Sequence, residues 1–121
     1  MQTVEESVTQ YGDAWNVKGI ENIKVALKDC WTSESTYVDT QNEMVKGIEG
    51  LAALINGFHE QMPGHTLQQA SKVDSHHNSG RFTWVNIVPN GEKIEGMDYF
   101  EYNEQNQITR IVGFFGSFTD L

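Results

Sequence analysis

The stretch from residue 81 to residue 118, RFTWVNIVPNGEKIEGMDYFEYNEQNQITRIVGFFGSF, decides the fold. Apolar and polar side chains alternate in three of its segments, with the period of a strand that buries one face: residues 81–88, 92–103 and 108–118. Short segments rich in turn-forming residues, 89–91 and 104–107, separate the three. Three long strands joined by short turns predict an antiparallel meander.

A further, mostly polar strand is predicted just before the meander, over residues 67–77, and Asn-Ser-Gly at 78–80 supplies the turn between them. Gly96 and Gly113 lie inside the long strands of the meander. Because glycine within a strand favours a bend or a bulge, we expect the sheet to be curved. A curved sheet wrapped on helices encloses a cavity.

The N-terminal half of the chain has helical patterns. Thr3 and Glu6 have the spacing of a capping box, and apolar residues then recur with helical period until Gly19, which can end the first helix. A second helical pattern runs over residues 20–31. A third covers residues 48–62 and is stopped by the Pro-Gly pair that follows it.

A short strand is predicted between the second and third helices, over residues 35–40, followed by a short segment at 44–46. Helices first and strands after are typical of the α+β class. We therefore predict one domain over residues 1–121, in which three N-terminal helices pack in the concave face of a curved antiparallel sheet, a cone-shaped α+β barrel.

Composition excludes several classes of function. The 121 residues suit one domain, and 38% hydrophobic content is enough for a core. With 17 acidic against 8 basic residues, the net charge is -9, which disfavours partners such as nucleic acid and anionic membranes. We find no membrane-length apolar run and no signal peptide, and the lone Cys30 allows no internal disulfide. These features lead us to expect a cytoplasmic protein.

Several short motifs, in this order, resemble the nuclear transport factor 2-like superfamily, and more closely its SnoaL-like and ketosteroid isomerase-like branch. The motifs are spread over nearly the whole chain: residues 11–16 (YGDAWN), 37–39 (YVD), Gly47, 63–65 (PGH), 76–77 (HH), 81–84 (RFTW), 96–98 (GMD) and 111–116 (IVGFFG). The resemblance implies a small-molecule pocket inside the cone, and commonly a homodimer.

The resemblance also implies candidate catalytic residues. Ketosteroid isomerase uses a tyrosine on its first helix and two aspartates, one on the first strand and one on a late strand. The matching residues here are Tyr11, Asp39 and Asp98. The chain departs from that enzyme at Thr40, where the enzyme has proline, and a shared fold does not carry the reaction with it.

The residues themselves support this set but leave alternatives open. Asp98 lies on the apolar inward face of its strand, where a carboxyl group must be protonated or paired, and Arg81 or Arg110 could pair with it. Asp39 shares a strand face with Tyr37, and its alternative role is to cap a turn at an exposed edge.

Candidate pocket walls are mainly aromatic, although an aromatic stripe is also typical of a plain core, as is a tyrosine such as Tyr11 on a helix stripe. His76 and His77 point to opposite faces of a strand, so one of them could face the pocket, and we expect no metal site and no cofactor. The predicted substrate-binding residues are Trp15, Phe58, Met62, His77, Trp84, Phe100 and Phe115.

Three functional hypotheses follow. The first is a cofactor-free general acid–base enzyme, an isomerase, cyclase or dehydratase for a small apolar carbonyl compound, with Asp39 taking the proton and Tyr11 and Asp98 holding the oxyanion. An epoxide-hydrolase-like variant would need an arginine, either Arg81 or Arg110. The others are a non-catalytic ligand-binding module and a module that mainly makes a homodimer.

Overall fold

Three helices form the N-terminal half of the protein. The structure, a computed structural model, describes residues 1–116. The capping box at the first helix is confirmed: the backbone N–H of Glu6 donates to Oγ1 of Thr3 at 3.1 Å, and that of Thr3 donates to Oε1 of Glu6 at 2.9 Å. The helices are α1 (Val4–Ala14), α2 (Ile20–Leu27) and α3 (Gly47–Gln61). Within the described residues, no helix combines the length and the apolar character needed to cross a membrane.

The first two helices end earlier than their apolar patterns predict. Helix α1 ends at Ala14, and Gly19, with φ of 90°, begins α2 and does not terminate α1. Helix α2 ends at Leu27, so the prediction that Trp31 is helical is wrong. Trp31 is buried in a strand, where its indole N–H donates to the carbonyl of Gly47 at 3.1 Å. Its spacing fits a helix, but these tertiary contacts favour the strand.

Seven strands make up the sheet of the described residues. The predicted strand over residues 67–77 is divided in two, because the side chain of Ser71 accepts the backbone N–H of Thr83 at 2.8 Å and interrupts the ladder. Ser117 and Phe118, at the predicted end of the last strand, lie outside the described residues. The strands are β1 (Trp31–Val38), β2 (Val45–Lys46), β3 (Thr66–Gln69), β4 (Asp74–His76), β5 (Ser79–Ile87), β6 (Lys93–Tyr102) and β7 (Ile108–Phe115).

The sheet is curved, open and mixed. Its strand order is β2-β1-β7-β6-β5-β3, with β4 also paired to β5. The predicted antiparallel meander of β5, β6 and β7 is confirmed, and so is the α+β class. One pair differs from the prediction, since β1 runs parallel to β7 and makes the sheet mixed.

The helices pack against the concave face of the sheet, where the core lies. Tyr11 of α1 stacks on Trp31 of β1 with ring centroids 5.8 Å apart, and Phe100 of β6 is fully buried. Cys30 is also buried, and burial raises the pKa of its thiol to about 12, so the thiol stays protonated near neutral pH.

Gly96 lets an aromatic ring lie directly on the strand backbone. A Cβ atom at Gly96 would come within 2.1 Å of Cζ2 of Trp84, on the neighbouring strand. No side chain fits there unless the indole moves. Helix α3 contains a contrasting glycine, Gly57, whose added Cβ would meet no atom within 4 Å.

The two glycines predict opposite effects on stability. Gly96→Ala should lower the free energy of unfolding by about 1–3 kcal/mol, because the new methyl group displaces Trp84. Gly57→Ala, the matched control, should raise it by up to about 1 kcal/mol, because alanine is the better helix former and the space is open. Urea unfolding checks both, and equal midpoints for Gly96→Ala and the wild type would contradict the close approach.

Candidate functional site

A cavity of about 420 Å³ lies between the concave face of the sheet and helices α1 and α3. Its volume is within the range of small-molecule pockets. Apolar and aromatic side chains form most of the wall, and a few polar groups converge inside. The residues that line it are Tyr11, Trp15, Tyr37, Asp39, Gln41, Asn42, Ala53, Leu54, Gly57, Phe58, Gln61, Met62, His65, Leu67, Trp84, Asn86, Ile94, Asp98 and Phe115.

The cavity brings together most of the residues singled out from the sequence. All three candidate catalytic residues line it, although they come from three separate elements. Five of the seven candidate wall residues also line it: Trp15, Phe58, Met62, Trp84 and Phe115. Met62 and Phe115 are partly exposed, together with Ile94, and they mark an apolar mouth.

Two candidate wall residues lie elsewhere. His77 is in the turn after β4, with φ of 48°, and its ring nitrogen lies 3.0 Å from that of the exposed His76. Neither histidine lines the cavity, because this turn is at an exposed edge. Phe100 points inward as predicted, but it packs against Gly80 and Phe82 in the core and so does not reach the cavity.

Asp98 is the most deeply buried acid of the site, with 4% of its surface exposed. The indole N–H of Trp84 donates to its Oδ1 at 3.0 Å. Burial raises the pKa of this carboxyl to about 7; the indole opposes the shift and the charge of Asp39 adds to it. Asp98 can therefore gain or lose a proton near neutral pH.

Gly113 of β7 allows two acids to converge. A Cβ at Gly113 would lie 3.1 Å from Oδ1 of Asp98 and 3.2 Å from Cβ of Asp39, with the Tyr37 hydroxyl at 3.5 Å. Gly113 pairs with Asp98 on one side, and the preceding residue, Val112, pairs with the end of β1 on the other. The absence of a side chain at this one position leaves room for both acids.

Asp39 lines the cavity and also caps a turn, so both predicted roles are combined. Its Oδ2 accepts the hydroxyl of Tyr37 at 2.6 Å. Its Oδ1 accepts the backbone N–H groups of Gln41 and Asn42, each at 2.8 Å. The side-chain amide of Asn42 also donates to both oxygens, at 3.0 and 3.1 Å. These donors occupy both oxygens of the carboxyl group and fix its orientation.

Two tyrosine hydroxyls complete the polar end of the cavity. Burial, and then the charge of Asp98, raise the pKa of Tyr11 well above its ordinary value. The same two causes raise the pKa of Tyr37, whose hydroxyl is already donated to Asp39. Both therefore stay protonated, and Tyr11 is the one left to donate to a ligand.

The arginine alternatives do not form. Arg81 pairs with Asp74 at 3.0 Å, and Arg110 pairs with Glu101 at 3.3 Å. Neither lines the cavity, so Asp98 has no arginine partner and no aspartate–arginine–aspartate set is present among the described residues. Residues 1–116 also contain no cluster of three or more histidine, cysteine or acidic side chains placed to hold a metal.

Sequence analysis missed a second polar group in the cavity, formed by His65 and Asn86. Nδ1 of His65 lies 3.0 Å from Oδ1 of Asn86. His65 follows the Pro-Gly pair that ends α3. Asn86 shares its strand face with Trp84, so strand alternation could have predicted that Asn86 faces the cavity. The sequence predicts that Tyr37 shares a face with Asp39, but it does not predict the hydrogen bond between them.

The raised pKa of Asp98 predicts a specific dependence of stability on pH. The folded protein holds the carboxyl proton of Asp98 more tightly than the unfolded chain does. The contribution of this proton to the free energy of unfolding is therefore full below the unfolded pKa of about 4 and is lost as the pH rises through 7. The amide of the Asp98→Asn variant does not titrate, so this contribution is absent from the variant. Between pH 5 and pH 8, the free energy of unfolding of the variant should therefore gain about 3 kcal/mol relative to wild type.

Urea unfolding at the two pH values measures this gain. The control is Asp74→Asn, which removes an exposed carboxylate outside the cavity. Its free energy of unfolding relative to wild type should change much less between the two pH values. A difference between Asp98→Asn and wild type that stays constant with pH would show that Asp98 titrates as an ordinary carboxyl.

Comparison with solved structures shows which known proteins share this fold. The chain is similar to a proposed isomerase of the SnoaL-like family from Agrobacterium tumefaciens strain C58, with 29% identity, a TM-score of 0.85, and coverage of 96% of this chain and 100% of that one. It is also similar in fold to a proposed SnoaL-like polyketide cyclase from Jannaschia sp. CCS1, with 15% identity, a TM-score of 0.71, and coverage of 95% and 89%.

A third similar structure is a protein of ketosteroid isomerase-like fold from Catenulispora acidiphila, in complex with trimethylamine, with 14% identity, a TM-score of 0.76, and coverage of 94% and 88%. No protein-family model and no curated protein matches the sequence. The agreement in fold extends over nearly the whole chain and includes the cone of helices and sheet. The chain therefore has the fold of the nuclear transport factor 2-like superfamily, the fold that SnoaL-like and ketosteroid isomerase-like proteins share.

Proposed function

We propose that the protein binds a small, mostly apolar carbonyl compound in the cavity and catalyses a proton transfer on it without a cofactor. The observation that carries this proposal is Asp98, a titratable carboxyl group buried in an apolar cavity with one hydrogen bond from Trp84. Buried groups that exchange a proton near neutral pH are typical of acid–base catalysts. The reaction would be of the isomerase, cyclase or dehydratase type.

The contacts favour Asp98 over Asp39 as the group that moves the proton, which reverses the roles expected from the sequence. The oxygens of Asp39 already accept hydrogen bonds from Tyr37, Gln41 and Asn42, so they are less accessible to a proton of the ligand. Asp98 has fewer donors and is made more basic by burial and by the charge of Asp39. Asp39 would act as a fixed negative charge beside it.

The proton transfer can be written with the groups at hand. The carboxylate of Asp98 takes a proton from the carbon next to the carbonyl, and the electron pair moves onto the carbonyl oxygen to form an enolate. The hydroxyl of Tyr11, which stays protonated, would donate to that oxygen. Asp98 then returns its proton to the same carbon or, where a double bond is conjugated with the enolate, to the far carbon of that double bond, so no oxidant or co-reactant is consumed.

The similar structures support this class of reaction without defining the substrate. The protein from Agrobacterium tumefaciens is described as a proposed isomerase, and the one from Jannaschia as a proposed polyketide cyclase. Isomerisation and cyclisation of a carbonyl compound can each begin with removal of a proton from the carbon next to the carbonyl group. The apolar wall of the cavity suits such molecules.

Hydrogen exchange on a model ketone tests the proposal. In D2O, the protein should accelerate exchange of the C1 protons of 2-tetralone, followed by NMR. Asp98→Asn should lower the catalysed rate about 100-fold or more while the ketone still binds, because the amide cannot take the proton. The pH profile should inflect near the raised pKa of Asp98, about 7.

Asp74→Asn serves as the control, since its carboxylate is exposed and paired to Arg81, and its exchange rate should equal that of wild type. Binding of the ketone without accelerated exchange would favour the non-catalytic binding module. Full activity in Asp98→Asn would assign the proton transfer to another group.

We also propose a homodimer that buries the convex face of the sheet. The side chains on this face alternate with those of the cavity wall, and Phe114 is 44% exposed. Met97 pairs with Phe114 in register on β6 and β7. The apolar residues of this face are Val85, Ile87, Met97, Tyr99 and Phe114. An apolar second sheet face favours contact with a partner.

Met97→Glu should convert the dimer into a monomer, because it places a charge at the centre of the proposed contact. Light scattering at micromolar concentration measures the mass. Asn90→Glu, in the exposed turn between β5 and β6, is the control and should leave the mass unchanged. A monomeric wild-type protein at tens of micromolar would contradict the dimer.

A further inference from the structure

The cavity has polar groups at two levels along the sheet. On the inward faces of β5 and β6, Asp98 pairs with Phe82, and Asn86 pairs with Ile94. Asp98 and Ile94 are four residues apart on one strand, which corresponds to about 13 Å at 3.3 Å per residue. The Asn86 level therefore lies well away from the acids, although both levels face the same cavity.

The wall between the two levels is aromatic. Trp84 pairs with Gly96 and lies on it, since a Cβ at Gly96 would touch the indole. The ring of Phe115 meets the indole edge-on, with centroids 5.5 Å apart. A planar apolar molecule could lie along this surface, with one end at Asp98 and the other at Asn86.

The distant level is equipped to bind a polar group. Oδ1 of Asn86 can only accept, so in the neutral ring the proton is on Nδ1 of His65 and Nε2 is an acceptor. The Nδ2 group of Asn86 supplies donors. Within residues 1–116, neither Nε2 of His65 nor Nδ2 of Asn86 has a hydrogen-bond partner, so both are available to a ligand.

The edge of Phe58 supports the position of His65. The two rings are T-shaped, with centroids 6.3 Å apart. Because the imidazole is held between an aromatic ring and an amide, it is oriented before a ligand arrives, which lowers the entropy lost on binding. The pair thus has both the donors and the fixed geometry of a recognition site.

The charges of the cavity select against anions. Asp39 and Asp98 lie at one end, and no lysine or arginine is among the described residues that line the wall. A carboxylate or phosphate on the ligand would meet acids without a compensating cation. The distant polar group of the ligand should therefore not be an anion.

We propose that the substrate is an elongated, bifunctional compound without an anionic group, with a reactive carbonyl group at Asp98 and a hydroxyl or second carbonyl group bound by His65 and Asn86. This inference rests on the proposed function, because it takes the cavity as the substrate site. It adds that His65 and Asn86 determine specificity and take no part in the proton transfer.

Matched ketones test this assignment. 6-Hydroxy-2-tetralone carries a hydroxyl group at the end opposite its carbonyl, and 2-tetralone lacks it. The wild-type protein should bind the hydroxylated ketone about 10-fold more tightly, measured by quenching of tryptophan fluorescence, because one or two hydrogen bonds are added. In Asn86→Leu and in His65→Phe this preference should disappear, while affinity for 2-tetralone changes less than about 3-fold.

Gln41→Leu is the control, since it removes a polar side chain at the Asp39 end and should retain the preference. Equal binding of the two ketones by wild type, or an equal preference in both variants and wild type, would overturn the assignment of the distant site alone. Failure of both ketones to bind or to exchange protons would instead overturn the proposed function, and this inference with it.

Discussion

The site depends on the burial of one carboxyl group, that of Asp98, in a space that Gly113 leaves open. A side chain at Gly113 would approach Asp98 and Asp39 to within about 3 Å, so the two acids could not both face the cavity. The sheet register brings β1, β7 and β6 side by side at this level. The electrostatic character of the cavity thus follows from a backbone arrangement.

Burial of this acid has an energetic consequence for the fold. A carboxyl group that is desolvated without a cation favours its protonated form, and its ionisation near neutral pH costs stability. The rest of the core offsets this cost with large buried side chains such as Trp31 and Phe100. A site that weakens the fold locally is typical of functional regions.

The parts of the fold that depend on local patterns could be predicted from the sequence. Strand alternation and turn residues predicted β5, β6 and β7, and the alternation predicted that Asp98 faces inward. The parallel pairing of β1 with β7 joins residues 74 to 77 positions apart, a contact that no local pattern reports. The same limit explains Trp31, whose helical spacing was overridden by contacts with Tyr11 and Gly47.

The histidines show the corresponding limit for the site. His77 follows a strand pattern, yet a turn with positive φ takes it away from the cavity, whereas His65 enters the cavity only because α3 ends where it does. Positions after a helix end depend on the path of the chain, which neither composition nor periodicity specifies. The acids, in contrast, lie on a regular strand, as Asp98 does, or directly after one, as Asp39 does, and could be assigned to the cavity in advance.

The bare backbone of Gly57 gives the interior an adjustable dimension. This residue borders the chamber from the middle of α3, and a methyl or larger group there would project into open space without touching the surrounding framework. Single substitutions at this helical position can therefore reduce the volume of the cavity in small steps while the sheet and its acids keep their places. Related chains could in this way bind ligands of different size with the same chemistry.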